Sequence, residues 1–177
     1  MGAPEIWCDT RQQKNKHVHV DGWFAAHGVP YSYRKLDFGD YMTEGSNISI
    51  DTKKDVQELA GNLGREHDRF ARECDRARDA GYRLIILIEE LEAYNDREKV
   101  KMWTSRVCRM CRRCDPHKTK TCKARRFKPI NGERIAKSMT TFEMDHGVRF
   151  MFCKRGDTAA TICRLLGIEV DEDDEDG

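Results

Sequence analysis

The sequence contains no long apolar run and has almost no net charge. No stretch of it approaches the roughly 20 apolar residues that a membrane-spanning helix needs, so we expect no membrane association. The first residues lack a basic stretch followed by an apolar one, which argues against an export signal and for a cytoplasmic location. The chain also lacks internal repeats and long linkers, and its 177 residues suit one domain with a single core.

The net charge of +1 conceals two segments of opposite charge. Residues 101–128 contain eleven Lys or Arg and a single acid, Asp115, whereas residues 169–177 contain seven acids and no base. A basic segment of this density favours binding to a phosphate backbone, because each neutralised phosphate releases counterions, although a solvated surface is the alternative. We predict one domain over residues 1–168 with a basic insertion at about 101–128, then an acidic, disordered tail that solubilises the chain or occupies the basic segment.

The spacing of the apolar residues predicts an α/β fold. A nearly continuous aliphatic run at residues 83–90 predicts a strand buried on both faces, in the middle of the sheet. Three short runs between residues 31 and 53 are predicted to form a meander. Further strands are predicted at 5–9 and 148–153, and helices at 17–27, 55–63, 65–80, 131–145 and 157–166. The predicted architecture is a central mixed β-sheet flanked by helices.

A predicted hairpin carries the most informative residues. Asp40 follows a glycine, and Asp51 and Lys53 lie in the next predicted strand, on one face of it because side chains alternate along a strand. Two carboxylates suit Mg²⁺, whose bound water becomes a usable nucleophile, while Lys53 would hold that water or stabilise the transition state. The spacing alone also fits a surface hairpin with ordinary charges.

Several blocks, in order, resemble the XPF-type nuclease domain of the PD-(D/E)XK superfamily, in the short stand-alone form found in bacteriophages and bacteria. The blocks are Cys8-Asp-Thr-Arg-Gln12, Leu36-Asp-Phe-Gly-Asp-Tyr41, Ser49-Ile-Asp-Thr-Lys-Lys-Asp-Val-Gln-Glu-Leu59, Arg69-Phe-Ala-Arg-Glu73, Leu84 to Glu89 and Gly147-Val-Arg-Phe-Met-Phe-Cys153. The resemblance implies a restriction-endonuclease-like fold and a DNA endonuclease that uses Mg²⁺ or Mn²⁺. It also implies branched or flap DNA as substrate, a homodimer, and a bacterial or phage-infected host cell.

The family motif assigns roles to individual residues. It reads glycine-aspartate, a variable gap, glutamate-arginine-lysine, three residues and an aspartate. By this match Asp40, Asp51 and Lys53 form the catalytic group, and Asp40 and Asp51 are metal ligands together with Asp9 of an earlier motif.

The sequence departs from that motif at four positions. Asp51 stands in place of the glutamate, and Thr52 in place of the arginine. The family's last aspartate falls on Gln57, for which Asp55 or Glu58 would substitute, and a glutamate of the earlier motif falls on Gln12. The alternative function is therefore a nucleic-acid-binding module that uses a zinc knuckle and whose nuclease site is inactive. A second alternative is an adaptor that binds proteins through its charged segments.

Eight cysteines without an export signal favour free thiols over disulfides. Four of them, Cys8, Cys74, Cys153 and Cys163, lie in apolar stretches and are predicted to be core residues. The others lie in the basic insertion, where C-x₂-C spacing suits tetrahedral Zn²⁺. The predicted zinc ligands are Cys108, Cys111, Cys114, His117 and Cys122. Free thiols in a basic loop are the alternative.

Basic residues in two places are predicted to contact the nucleic-acid backbone. Arg11 and Lys16 follow the earlier motif, and solvated loop charges are the alternative interpretation there. The basic insertion supplies Arg109, Arg112, Arg113, Lys123, Arg125 and Arg126.

Overall fold

The computed structural model describes residues 4–12, 16–90, 92–113, 122 and 125–170, which contain a six-stranded mixed sheet. Its strands are β1 (Ile6–Asp9), β2 (Tyr31–Arg34), β3 (Tyr41–Thr43), β4 (Ile48–Lys53), β5 (Arg83–Glu89) and β6 (Arg149–Cys153). Their order across the sheet is β2-β1-β3-β4-β5-β6. The predicted mixed sheet flanked by helices is confirmed.

Several of the helices begin or end at recognisable capping residues. They are α1 (Val18–Ala26), α2 (Val56–Leu63), α3 (His67–Asp79), α4 (Arg97–Val100), α5 (Arg106–Arg109), α6 (Gly132–His146) and α7 (Thr158–Leu166). Asp55 caps α2 by accepting a hydrogen bond from the backbone N–H of Glu58. Gly147 and Gly167 end α6 and α7 in the left-handed conformation that glycine favours. Within the described residues, no helix combines the length and apolarity needed to cross a membrane.

The strand order corrects the predicted meander. β1 lies between β2 and β3, pairing in parallel with β2 and antiparallel with β3. β1 is buried along most of its length, so its backbone groups need a partner strand on both sides. The helix α1 links β1 to β2, and a crossover of this kind produces a parallel pair. β5 lies between β4 and the edge strand β6, next to the edge rather than in the middle.

Both faces of the sheet are covered, which explains the continuous aliphatic run of β5. Leu84, Ile86 and Ile88 pack into the core cluster formed with α2, α3 and α6. Ile85 and Leu87 pack into the opposite cluster, formed with α1 and α7. The predicted burial of this strand on both faces is confirmed.

The start of the basic segment is anchored in the core cluster formed with α2, α3 and α6. Val100 and Trp103 are buried there, and the backbone N–H of Gly132 donates to the carbonyl of Trp103 at 3.1 Å. A Cβ on Gly132 would lie 2.1 Å from the carbonyl oxygen of Val100, so only glycine permits this approach. After Lys101, which is exposed and pairs with Glu98, the next exposed basic residue of this segment is Arg106. The predicted tail falls largely on 171–177, outside the described residues.

Candidate active site

Three aspartates lie on adjoining strands at one end of the sheet. Asp9 ends β1, Asp40 immediately precedes β3, and Asp51 lies in β4. The backbone N–H of Asp9 donates to the carbonyl of Asp40 at 2.9 Å, and the N–H of Asp40 donates to the carbonyl of Ile50 at 2.7 Å. The backbone thus brings together residues that lie far apart in sequence.

The turn before Asp40 requires glycine. Gly39 has φ +63°, and a Cβ there would lie 2.4 Å from Ser49 Oγ and 2.8 Å from the carbonyl oxygen of Ile50. This close approach holds Asp40 against β4. It explains physically why the motif has glycine before the aspartate.

Thr52 orients the Asp40 carboxylate. Asp40 Oδ2 accepts hydrogen bonds from the backbone N–H of Thr52 at 2.9 Å and from its hydroxyl at 2.6 Å. Burial raises the pKa of Asp40, opposed by these two bonds and by the charges of Lys16 and Lys53. Thr52 thus holds the carboxylate, although the family has arginine at its position.

Asp51 and Lys53 form a buried ion pair. Lys53 Nζ donates to both Asp51 carboxylate oxygens, at 2.7 and 2.9 Å, and each side chain is only 10% exposed. Burial raises the pKa of Asp51, against the attraction of Lys53. For Lys53, burial lowers the pKa, but the charge of Asp51, the hydrogen bond to it and the charges of Asp40 and Glu58 together outweigh burial, so the net shift is upward. The predicted placement of these two residues on one face is confirmed.

Lys16 also reaches this end of β4. Its ammonium donates to the carbonyl of Thr52 at 3.1 Å and to Glu58 Oε1 at 3.0 Å. Glu58 Oε2 accepts from the backbone N–H of Lys54 at 2.9 Å, so both of its oxygens are bonded. Burial raises the pKa of Glu58, but these bonds outweigh it and the net shift is downward. Glu58 therefore positions Lys16 rather than facing a metal ion.

Asp9 and Arg11 bond to each other instead of pointing at the ion pair. Arg11 Nε lies 2.9 Å from Asp9 Oδ2, the backbone N–H of Leu36 donates to Asp9 Oδ1 at 3.2 Å, and the Arg11 guanidinium donates to the carbonyl of Leu36. Gln12 Nε2 donates to the carbonyl of Asp40 at 2.8 Å, while its Oε1 is buried without a hydrogen-bond partner among the described residues. The metal-ligand role of Asp9 stays a prediction.

Glu73 of α3 lies in one of the blocks that resemble the family. Arg69 of the same block pairs with Glu66 at 2.6 Å, and Glu73 forms no ion pair with any described residue. Burial raises the pKa of Glu73, and the charge of Asp51 raises it further. A role for Glu73 in the site stays a prediction of the resemblance.

The oxygen donors present suit a hard divalent cation. Asp40 and Asp51 are carboxylates whose pKa values burial raises, and Gln12 adds a buried, unpartnered amide oxygen. Mg²⁺ and Mn²⁺ prefer oxygen ligands of this kind. Across the described part of the chain, no three His, Cys, Asp or Glu side chains are already grouped as a metal site. A cation would therefore bind with water and substrate completing its coordination.

The cysteine cluster is only partly described. Cys108 and Cys122 are buried, and Cys111 is partly buried. Burial raises the pKa of the Cys108 thiol, and the neighbouring Cys122 and Cys111 raise it further. Of the other predicted zinc or DNA contacts, Cys114, His117 and Lys123 lie outside the described residues. The predicted core cysteines Cys8, Cys74 and Cys163 are buried and Cys153 is half-buried.

The comparisons with known proteins identify the family and the fold of this chain. The ERCC4 domain family matches residues 8–165. Two solved structures of XPF from Aeropyrum pernix, one of them in complex with DNA, are each 17% identical in sequence. They cover 92% and 93% of this chain, with TM-scores of 0.57 and 0.59. This chain spans 64% of each of those chains, and at this identity the likeness shows the fold. No curated protein was found to match. With 8–165 matched, the chain belongs to the ERCC4 family of nuclease domains.

Proposed function

We propose that this chain is a metal-dependent DNA endonuclease that hydrolyses phosphodiester bonds. The observation that carries the proposal is the buried pair of Asp51 and Lys53 beside Asp40, at the end of β4 in an ERCC4 domain. The solved relative bound to DNA supports a nucleic-acid substrate.

Different residues of the chain have different proposed roles in hydrolysis. Asp40 and Asp51 would hold Mg²⁺ or Mn²⁺, which activates a water and offsets charge on the phosphate when bound. Lys53 would orient the attacking water and stabilise negative charge on the phosphate oxygens. Lys16 adds a second positive charge at the same edge. The water oxygen bonds to phosphorus as the bond to the leaving oxygen breaks. One proton of the water passes to solvent, and the leaving oxygen takes up a proton from solvent to become a hydroxyl.

Branched or flap DNA is the proposed preferred substrate, and a homodimer the proposed assembly, both on the resemblance to XPF-type nucleases. Cleavage of a flap and of a plain duplex of the same sequence should therefore differ. Sedimentation of the purified chain should show two copies per particle.

The cleavage assay compares wild type with Lys53→Ala and Asp51→Asn in Mg²⁺, in Mn²⁺ and in EDTA. We expect wild type to cleave only with a metal, and each variant to lose at least about a hundredfold in rate. The exposed neighbour variant Lys54→Ala should cleave like wild type. Equal inactivity of wild type and variants across the metals would favour the alternative, a DNA-binding module without nuclease activity.

We also propose a structural Zn²⁺ held by four of Cys108, Cys111, Cys114, His117 and Cys122. The C-x₂-C spacing of Cys108 and Cys111 supports it. Metal analysis should find about one zinc per chain in wild type. Replacing Cys108 and Cys111 by serine should abolish it, while Cys163→Ser should not. Zinc-free wild-type protein would reject the site.

A further inference from the structure

A single side chain connects the basic segment to the helix that follows the catalytic strand. Gln57, in the first turn of α2, accepts a hydrogen bond through Oε1 from the backbone N–H of Arg106 at 2.8 Å. Arg106 is the first residue of α5, and N–H groups at that position have no partner within their own helix. Because α2 begins three residues after Lys53, this bond ties α5 to the catalytic end of β4.

The arginines beyond this anchor face solvent. Arg106, Arg109, Arg112 and Arg113 are exposed, and none forms an ion pair with an acid that the structure describes. Some exposed arginines elsewhere are paired, as Arg34 is with Glu5 and Arg69 with Glu66, while others such as Arg83 form no ion pair with a described acid. What distinguishes this set is that its members are grouped along one short segment. The helical turn continues to Cys111, whose N–H donates to the carbonyl of the buried Cys108. Arg106, Arg109 and Arg112 are spaced by three residues, so their side chains lie on the same side of the turn, away from the core.

A pocket at the end of this turn concentrates the charge. Its walls are Cys111, Arg112, Arg113 and Arg125. Guanidinium groups bind phosphate oxygens in a two-pronged geometry, so a pocket with three of them suits a phosphate group.

We propose that the arginine surface binds the DNA backbone beside the scissile phosphate, and that Gln57 is the positioning residue that keeps this surface in register with Lys53. The arginine surface is Arg106, Arg109, Arg112, Arg113 and Arg125. The proposal rests on the proposed function, because it takes DNA as the substrate. It also gives a role to the glutamine that stands where the family motif has aspartate, because the Gln57 side chain accepts a hydrogen bond from a backbone N–H of the basic segment.

The first test measures DNA affinity in EDTA, where cleavage does not compete, over a range of salt concentrations. Each phosphate contact contributes about 0.9 to the slope of log affinity against log salt. Arg112→Gln should reduce the slope by about 1. The matched control is Arg83→Gln, an exposed arginine at the other end of β5 from the site. Equal slopes for Arg112→Gln and wild type would overturn the proposed DNA contact of the arginine surface. They would instead favour an acidic protein segment as the partner of that surface.

The second test compares Gln57→Met, which keeps the length but loses the carbonyl oxygen, with Gln57→Glu, which keeps an acceptor. One hydrogen bond of net value near 1 kcal/mol corresponds to about fivefold in affinity. Gln57→Met should therefore raise KM about fivefold at unchanged kcat, and Gln57→Glu should stay near wild type. A fall in kcat alone, or equal effects of the two variants, would overturn the positioning role.

The two proposals fail in different ways. If wild type does not cleave DNA with any divalent metal, the proposed function fails, while the affinity slopes and the Kd of Gln57→Met still test the arginine surface. If wild type cleaves and Arg112→Gln keeps its slope, only the arginine surface fails.

Discussion

The buried pair of Lys53 and Asp51 should show strong energetic coupling. Its charged atoms lie 2.7 and 2.9 Å apart in side chains that are 10% exposed. At an effective dielectric constant of about 20, charges about 3 Å apart attract by roughly 5 kcal/mol, much of which desolvation offsets. Removing one partner leaves the other charge buried alone. We therefore expect Lys53→Met and Asp51→Asn each to lower the free energy of unfolding by about 3 kcal/mol.

Urea unfolding of the two single variants and the double variant, in EDTA at neutral pH, measures the coupling. The double variant buries no charge at this point, so it should lose only about 2 kcal/mol, far less than the sum of the single losses. The exposed pair of Lys101 and Glu98, 2.6 Å apart, is the matched control and should couple by less than about 1 kcal/mol. Additive losses, or coupling no larger than that of the exposed pair, would refute the reasoning.

Three further predictions concern the turn at Gly39, the buried His17 and the hydrogen bonds that Thr52 donates to Asp40. Gly39→Ala should lower the free energy of unfolding by about 3 kcal/mol, because its Cβ meets β4. Gly28→Ala, with φ +64° but open space, should cost only about 1 kcal/mol in the same urea titration. Burial lowers the pKa of His17 from its ordinary value to about 4, so the folded state favours the neutral ring. That stability is complete above pH about 6.5 and falls by roughly 3 kcal/mol as the pH drops to about 4. His17→Gln should flatten this decline in unfolding measured against pH, whereas replacing the exposed His27 by Gln should not. Thr52→Val should raise the Mg²⁺ concentration for half-maximal cleavage by about tenfold, because it removes the hydroxyl that donates to Asp40. Thr52→Ser keeps a hydroxyl and should need the same Mg²⁺ concentration as wild type. An unchanged metal requirement in Thr52→Val would contradict that role.

Local patterns predicted the parts of the site that depend on one strand. Alternation placed Asp51 and Lys53 on one face, and the continuous aliphatic run of β5 indicated a strand covered on both sides. Both follow from the two-residue repeat of an extended chain, which acts within a few residues.

Contacts between distant segments could not be predicted in this way. Lys16 and Glu58 lie 42 residues apart, and Gln57 and Arg106 lie 49 apart. Alternation tells which face a side chain occupies, but not which strand or helix lies beside it. The predicted meander failed for the same reason, since β1 inserts between β2 and β3.

The hydrogen bond from Gly132 to Trp103 closes residues 104–131 into a loop whose two ends touch. Because doubling the length of such a loop costs only about 0.6 kcal/mol, the sheet and its carboxylates tolerate large changes between these ends. We therefore expect that this segment can be replaced by another without loss of the fold. A replacement that starts after Trp103 and ends before Gly132 would change the substrate contacts while the proposed catalytic residues stay the same.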